Sequence, residues 1–80
     1  MSQARIAILG AGGWGTALAV HLARVGHDVR LWGRDSTLVA EMRERRANAV
    51  YLTDVTFPRG VAVTADLSVA LSSAEVVVVA

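Results

Sequence analysis

Gly10-Ala11-Gly12-Gly13-Trp14-Gly15 is the stretch on which the reading of this chain turns. Four of the seven glycines fall within these six residues, in the spacing G-x-G-x-x-G. What precedes and follows gives the cluster its meaning. Before it, Ile6-Ala7-Ile8-Leu9 is an apolar run introduced by Arg5, the pattern of a strand buried on both faces. After it the period changes. Trp14, Leu18, Leu22 and Val25 recur at helical spacing, with Ala17 in the same stripe, and this predicts a helix whose apolar face they form. Gly26 follows the last apolar position, where a residue of positive φ ends many helices.

Outward from the cluster the alternation continues. Val29-Arg30-Leu31-Trp32 reads as a second strand. Asp35 or Ser36 caps a second helix with Leu38, Val39 and Met42 on its inner side and Glu41 four residues before Arg45 on its outer side. The basic run Arg43 to Arg46 reads as a solvated face near a helix C-terminus, where the helix dipole favours cations. Residues 47–60 read as a connecting loop punctuated by Asn48, Asp54 and Pro58. Val61 to Thr64 is a short candidate edge strand, Asp66 caps a brief helix carrying Leu67, Ala70 and Leu71, and Val76 to Ala80 is a continuous apolar strand.

Strands separated by helices run parallel, because each crossover returns the chain to the same end of the sheet. The expectation is therefore an α/β fold, a partial doubly wound parallel sheet of Rossmann type with strand order 3-2-1-4. The two most apolar strands, first and last, are expected in the interior and flanked on both sides. The whole of residues 1–80 reads as one nucleotide-binding portion of such a domain.

Composition narrows the function. The chain has 80 residues, 54% hydrophobic and 19% charged, which excludes intrinsic disorder. A domain this small hides roughly 60% of the surface of its unfolded form and has little stability to spare. The net charge of +1 offers no electrostatic footprint for nucleic acid. There is no cysteine for a disulfide or thiolate site, and His21 and His27 lack partners at metal-ligand spacing, so no metal site is expected. No apolar run has the length of a membrane span, and the N-terminus lacks a signal-peptide pattern. A soluble, cytoplasmic protein is the default expectation. All eight basic residues are arginine, so a lysine-dependent step is beyond this chain alone.

Each glycine of the cluster has its own physical task. Gly10 permits the tight turn out of the strand, Gly12 lets the backbone approach a pyrophosphate, and Gly15 allows close packing of helix on sheet. The phosphates would meet the free N–H groups and positive dipole end of the helix. A Walker-type phosphate loop fits poorly, since Thr16-Ala17 stands where Lys-Ser or Lys-Thr is required. Arg34 lies nineteen residues past Gly15, near the place where NAD-preferring domains carry an acid for the ribose hydroxyls. An arginine there suits a 2′-phosphate, with Gly33 leaving room for it. Asp35 is placed either to reach a ribose or to cap the second helix. The reading is a dinucleotide site biased toward NADP without excluding NAD.

The run from Gly10 to Ala19, with its Gly-Trp-Gly-Thr-Ala core, resembles the N-terminus of bacterial NAD(P)-dependent glycerol-3-phosphate dehydrogenases. Similar phrases follow in order: Leu31 to Arg34, Arg46-Ala47-Asn48 through Tyr51-Leu52, Val61 to Leu67, and Ala74-Glu75-Val76. Thr53 departs from a common proline and Phe57 from a common leucine, both in the connecting segment. The resemblance implies an oxidoreductase interconverting sn-glycerol 3-phosphate and dihydroxyacetone phosphate with NAD or NADP, in phospholipid synthesis. It implies Gly10, Gly12, Gly13, Trp14, Gly15, Arg34 and Tyr51 as cofactor-binding residues. Trp14 also suits a core position on the helix stripe, and Tyr51 equally suits packing on the second helix. The partner implied is a small-molecule substrate, with a homodimer left open for a full-length form. The family's catalytic lysine and all-helical substrate domain lie beyond the last strand, so these 80 residues are expected to be inactive alone. The alternative is a non-catalytic module that binds a dinucleotide without turnover.

Overall fold

Ile6, Ala7 and Ile8 are buried from both faces of a four-stranded parallel sheet, as their unbroken apolar run requires. The computed structural model describes residues 3–50 and 52–80, with the side chains of 52–54 outside that description. The elements run β1 (Arg5–Leu9), α1 (Gly13–Arg24), β2 (Asp28–Trp32), α2 (Ser36–Arg45), β3 (Ala47–Asn48), β4 (Leu52–Thr56), β5 (Val61–Thr64), α3 (Leu67–Leu71) and β6 (Val76–Val79). The main sheet has the order β5-β2-β1-β6, all pairs parallel, which is the expected 3-2-1-4 arrangement. Register sets Ile6 beside Val29 and Val76, and Ile8 beside Leu31 and Val78. The core is built from alternate strand residues, Ile6, Ile8, Val29, Leu31, Val61 and Val63, closed by Val20 of α1 and Val39 and Met42 of α2.

The helix ends follow the sequence signals. Gly26 has φ +111, its N–H donates to the Ala23 carbonyl, and the His27 N–H donates to the Leu22 carbonyl, the paired bonds of a Schellman end. Asp35 caps α2 by accepting from the N–H groups of Thr37 and Leu38. Asp66 does the same for α3 with Ser68 and Val69. The Ser68 hydroxyl, then the Val69 N–H, bond to the Asp66 carboxylate and hold its pKa below the ordinary value of 3.8. Glu41 and Arg45 pair at 3.5 Å on the outer face of α2, and Arg43, Glu44 and Arg45 are exposed, as a solvated face requires, whereas Arg46 is half-buried and donates to the Pro58 carbonyl at 2.9 Å.

Three expectations are corrected. The inner face of α1 consists of Gly15, Thr16, Ala19 and Val20, with Leu18, Leu22 and Ala23 partly buried, while Trp14, Ala17 and Val25 face solvent. Small residues win this face because the helix lies close on the sheet, where large ones do not fit. Residues 47–60 are not only loop. β3 and β4 form an antiparallel pair with a register shift at Ala47 and Asn48, and Phe57 beyond it is buried. Short, irregular pairing of this kind carries little alternation for a sequence pattern to show. Finally, β6 is an edge of the sheet among the described residues, and Val76, Val77 and Val79 are exposed. Its apolar run matches a flanked strand, but neither a neighbouring strand on its outer side nor full helix cover is present among them.

A candidate dinucleotide site at the glycine loop

Parallel strands bring all their C-terminal ends to one edge of the sheet, and the loop Gly10–Gly12 leaves β1 at that edge. Gly10 has φ +133, and a Cβ there would lie 2.6 Å from the Ala80 carbonyl oxygen, so the turn excludes every other residue on both conformation and space. The Gly10 N–H donates to the Trp32 carbonyl at 2.9 Å and fixes the start of the turn on β2. A Cβ on Gly15 would overlap the Gly10 carbonyl oxygen and come within 3.2 Å of the Ala80 side chain. α1 therefore docks against the loop and the end of β6 only because position 15 is bare.

Gly12 differs from both. It is the N-cap of α1 with ordinary extended backbone (φ −74, ψ −171), and a Cβ added to it would meet nothing within 4 Å. No side chain caps α1 and its first turn holds no acid, whereas both other helices carry an aspartate cap. The first N–H groups of a helix have no acceptor within it. At α1 these groups belong to the turn that begins with Gly13, Trp14 and Gly15, and the helix dipole adds positive potential there. Trp14, 68% exposed, stands in this first turn.

The second half of the expected site lies after β2. Gly33 is buried, and a Cβ there would meet Val39 at 2.9 Å and Ala11 at 3.1 Å. Its bareness serves close packing of β2, α2 and the loop rather than room for a ligand. Arg34 is exposed and, among the described residues, has no hydrogen-bond or ion-pair partner. Asp35 is committed to capping α2. Tyr51 lies outside the described residues. Trp32 donates its indole N–H to the Ala65 carbonyl at 3.1 Å, and His27 Nδ1 accepts from the Ala4 N–H at 3.1 Å at the opposite edge of the sheet, so both are structural.

Sequence reasoning missed one feature. Asn48 and Thr16, both fully buried, bond to each other and to the Ala11 carbonyl of the loop. In the sequence Asn48 reads as loop punctuation and as part of a family-like phrase, and no pattern in a single sequence signals a bond across 37 residues.

The geometry fits a dinucleotide. It offers a bare helix N-terminus, an open approach over Gly12, an exposed aromatic beside it and a free guanidinium after the next strand. The profile described as "NAD-dependent glycerol-3-phosphate dehydrogenase N-terminus" matches residues 5–80. The chain belongs to that family. It is similar to glycerol-3-phosphate dehydrogenase (NAD(P)+) of Thioalkalivibrio sulfidiphilus, 61% identical over 71 residues, which cover 89% of this chain and 21% of the relative. The Legionella pneumophila enzyme of the same name is 42% identical over all 80 residues and 24% of its own length. The crystal structure of glycerol-3-phosphate dehydrogenase from Coxiella burnetii superposes with a TM-score of 0.93 at 43% identity, covering 96% of this chain and 24% of that one. The chain thus spans between a fifth and a quarter of the length of these family members.

Proposed function

We propose that residues 1–80 are the N-terminal part of the nucleotide-binding domain of an oxidoreductase that interconverts sn-glycerol 3-phosphate and dihydroxyacetone phosphate with NAD(P)(H). The observation that carries this reading is the uncapped N-terminus of α1 beneath the open side of Gly12, in a chain belonging to the dehydrogenase family. In this reading the N–H groups at Gly12, Gly13, Trp14 and Gly15 hold the pyrophosphate, each hydrogen bond to the charged oxygens contributing about 1.5–3 kcal/mol. Gly10 and Gly15 shape the loop. Arg34 holds a 2′-phosphate when NADP is the dinucleotide, and Tyr51 joins the nucleotide site. The nicotinamide supplies the hydride chemistry when bound; the residues of this chain bind and orient.

The enzyme works in the cytoplasm, supplying glycerol 3-phosphate to phospholipid synthesis, and its small-molecule partners are the cofactor and the pair sn-glycerol 3-phosphate and dihydroxyacetone phosphate. A homodimer is its proposed assembly, with no nucleic-acid partner. The absence of lysine from these residues favours placing the carbonyl-polarising group elsewhere, and it also keeps a second reading in play: a module that binds a dinucleotide without turnover. Dihydroxyacetone phosphate-dependent oxidation of NADPH or NADH separates the two. The longest native chain carrying this sequence is expected to turn over, and residues 1–80 alone to show none. Dinucleotide binding without turnover by that longest chain would favour the module.

A further inference from the structure

We infer that Asn48 is a positioning residue for the pyrophosphate loop, fixing the Ala11–Gly12 peptide so that its N–H is turned toward the ligand; this rests on the dinucleotide reading above. Asn48 sits on β3, three residues past the end of α2, and is fully buried. Its Nδ2 has two hydrogens and uses both inside the protein: one donates to the Ala11 carbonyl at 2.9 Å, the other to Thr16 Oγ1 at 3.0 Å. Thr16 Oγ1 in turn donates to the same Ala11 carbonyl at 3.3 Å. Asn48 Oδ1 accepts from the Val50 N–H at 3.2 Å, which fixes the orientation of the amide.

The consequence for the loop follows from peptide geometry. The carbonyl of Ala11 and the N–H of Gly12 belong to one planar trans unit and point in opposite directions. Two buried donors hold the carbonyl inward, so the Gly12 N–H is held away from them. Were that peptide to flip, a carbonyl oxygen would replace a donor at the phosphate approach, and an anion would meet a negative dipole. Apart from the Asn48 and Thr16 side chains, no hydrogen bond among the described residues supplies this restraint, since the Gly10 N–H and the Thr16 N–H anchor only the two ends of the loop. Only an amide serves at position 48. A carboxylate has no hydrogen to offer and would oppose the Ala11 oxygen with a buried charge, at a desolvation cost.

A structural role alone would lower stability; a positioning role also weakens the dinucleotide. The test uses the longest native chain carrying this sequence, with NADH as the probe. Fluorescence titration gives its dissociation constant, and steady-state kinetics give KM and kcat. Asn48→Ala is expected to raise the NADH dissociation constant about tenfold, the effect of one lost hydrogen bond of this kind. KM for NADH rises with it, while kcat and the KM for dihydroxyacetone phosphate stay within about twofold. Thr16→Val, close in shape but without the hydroxyl, is expected to weaken NADH about threefold through the same carbonyl, and Thr16→Ser to restore it. If Asn48→Ala does not fold, the Thr16 pair decides. A lower melting temperature with unchanged NADH affinity in the variants would overturn the inference and leave Asn48 a packing residue. Failure of the unsubstituted chain to bind NADH would instead overturn the dinucleotide reading, and the inference with it.

Discussion

A methyl group on Gly15 would overlap the carbonyl oxygen of Gly10, so the first helix and the turn that precedes it meet backbone to backbone. This relationship divides the glycine cluster by function. Gly10 and Gly15 are bare because the protein fills their space, while Gly12 is bare although the protein leaves its space open. The cluster therefore combines a packing joint at Gly10 and Gly15 with an open position at Gly12.

The packing joint predicts a stability effect. Gly15→Ala forces α1 away from the loop and from Ala80, and overpacking of this kind costs about 1–3 kcal/mol. Urea unfolding monitored by circular dichroism is expected to show a midpoint lowered accordingly. An unchanged midpoint would mean that the helix is free to shift at no cost.

Arg34 predicts cofactor discrimination without a stability effect. Its side chain is exposed and unpartnered among the described residues, so Arg34→Ala is expected to leave the melting temperature unchanged. Loss of a charge-assisted contact to a 2′-phosphate weakens NADPH by about 1.5–3 kcal/mol and leaves NADH nearly untouched. Parallel titrations with both dinucleotides measure this. Equal losses for the two would remove Arg34 from the 2′-phosphate site.

The Asp66 cap predicts a local pH response. Asp66 has its folded pKa lowered by the Ser68 hydroxyl and the Val69 N–H. Its contribution to stability is therefore fully present above the ordinary value of 3.8 and is lost as pH falls through the lower folded value. Asp66→Asn keeps a capping oxygen and removes the titration, so the variant is expected to show a flatter acid limb in a stability–pH profile. An identical limb in variant and parent would place the acid sensitivity elsewhere.

Much of this was legible in the sequence because the signals were local. Asp35 and Asp66 sit where helix starts need an oxygen, Gly26 where a helix end needs positive φ, and the apolar run of β1 falls in the interior as expected, while that of β6 does not. What was not legible depended on distance. The stripe of Trp14, Leu18, Leu22 and Val25 has perfect helical spacing, yet the face that docks is the one with the smallest residues, a choice made by the sheet and not by the helix. β3 and β4 pair over too few residues to show a period. Within the candidate site the close approaches at Gly10 and Gly15 were readable from spacing. The Asn48–Thr16–Ala11 network was not, because its members are joined only once α2 has carried the chain back over the loop.

The central claim is that α1 lacks a cap because an anion takes the place of one. Gly12→Ser tests it most directly. The backbone at Gly12 is already extended, as an N-cap requires, and a Cβ added there meets nothing within 4 Å. Serine is a better cap than glycine by a few tenths of a kcal/mol, and its oxygen accepts from the N–H groups that the pyrophosphate needs. Calorimetric titration of NADPH into parent and variant, with melting temperatures recorded alongside, is the measurement. The account predicts a variant that melts at or above the parent and binds NADPH at least about tenfold more weakly, since hydrogen bonds to charged oxygens are lost. A variant that binds NADPH as tightly as the parent would contradict it.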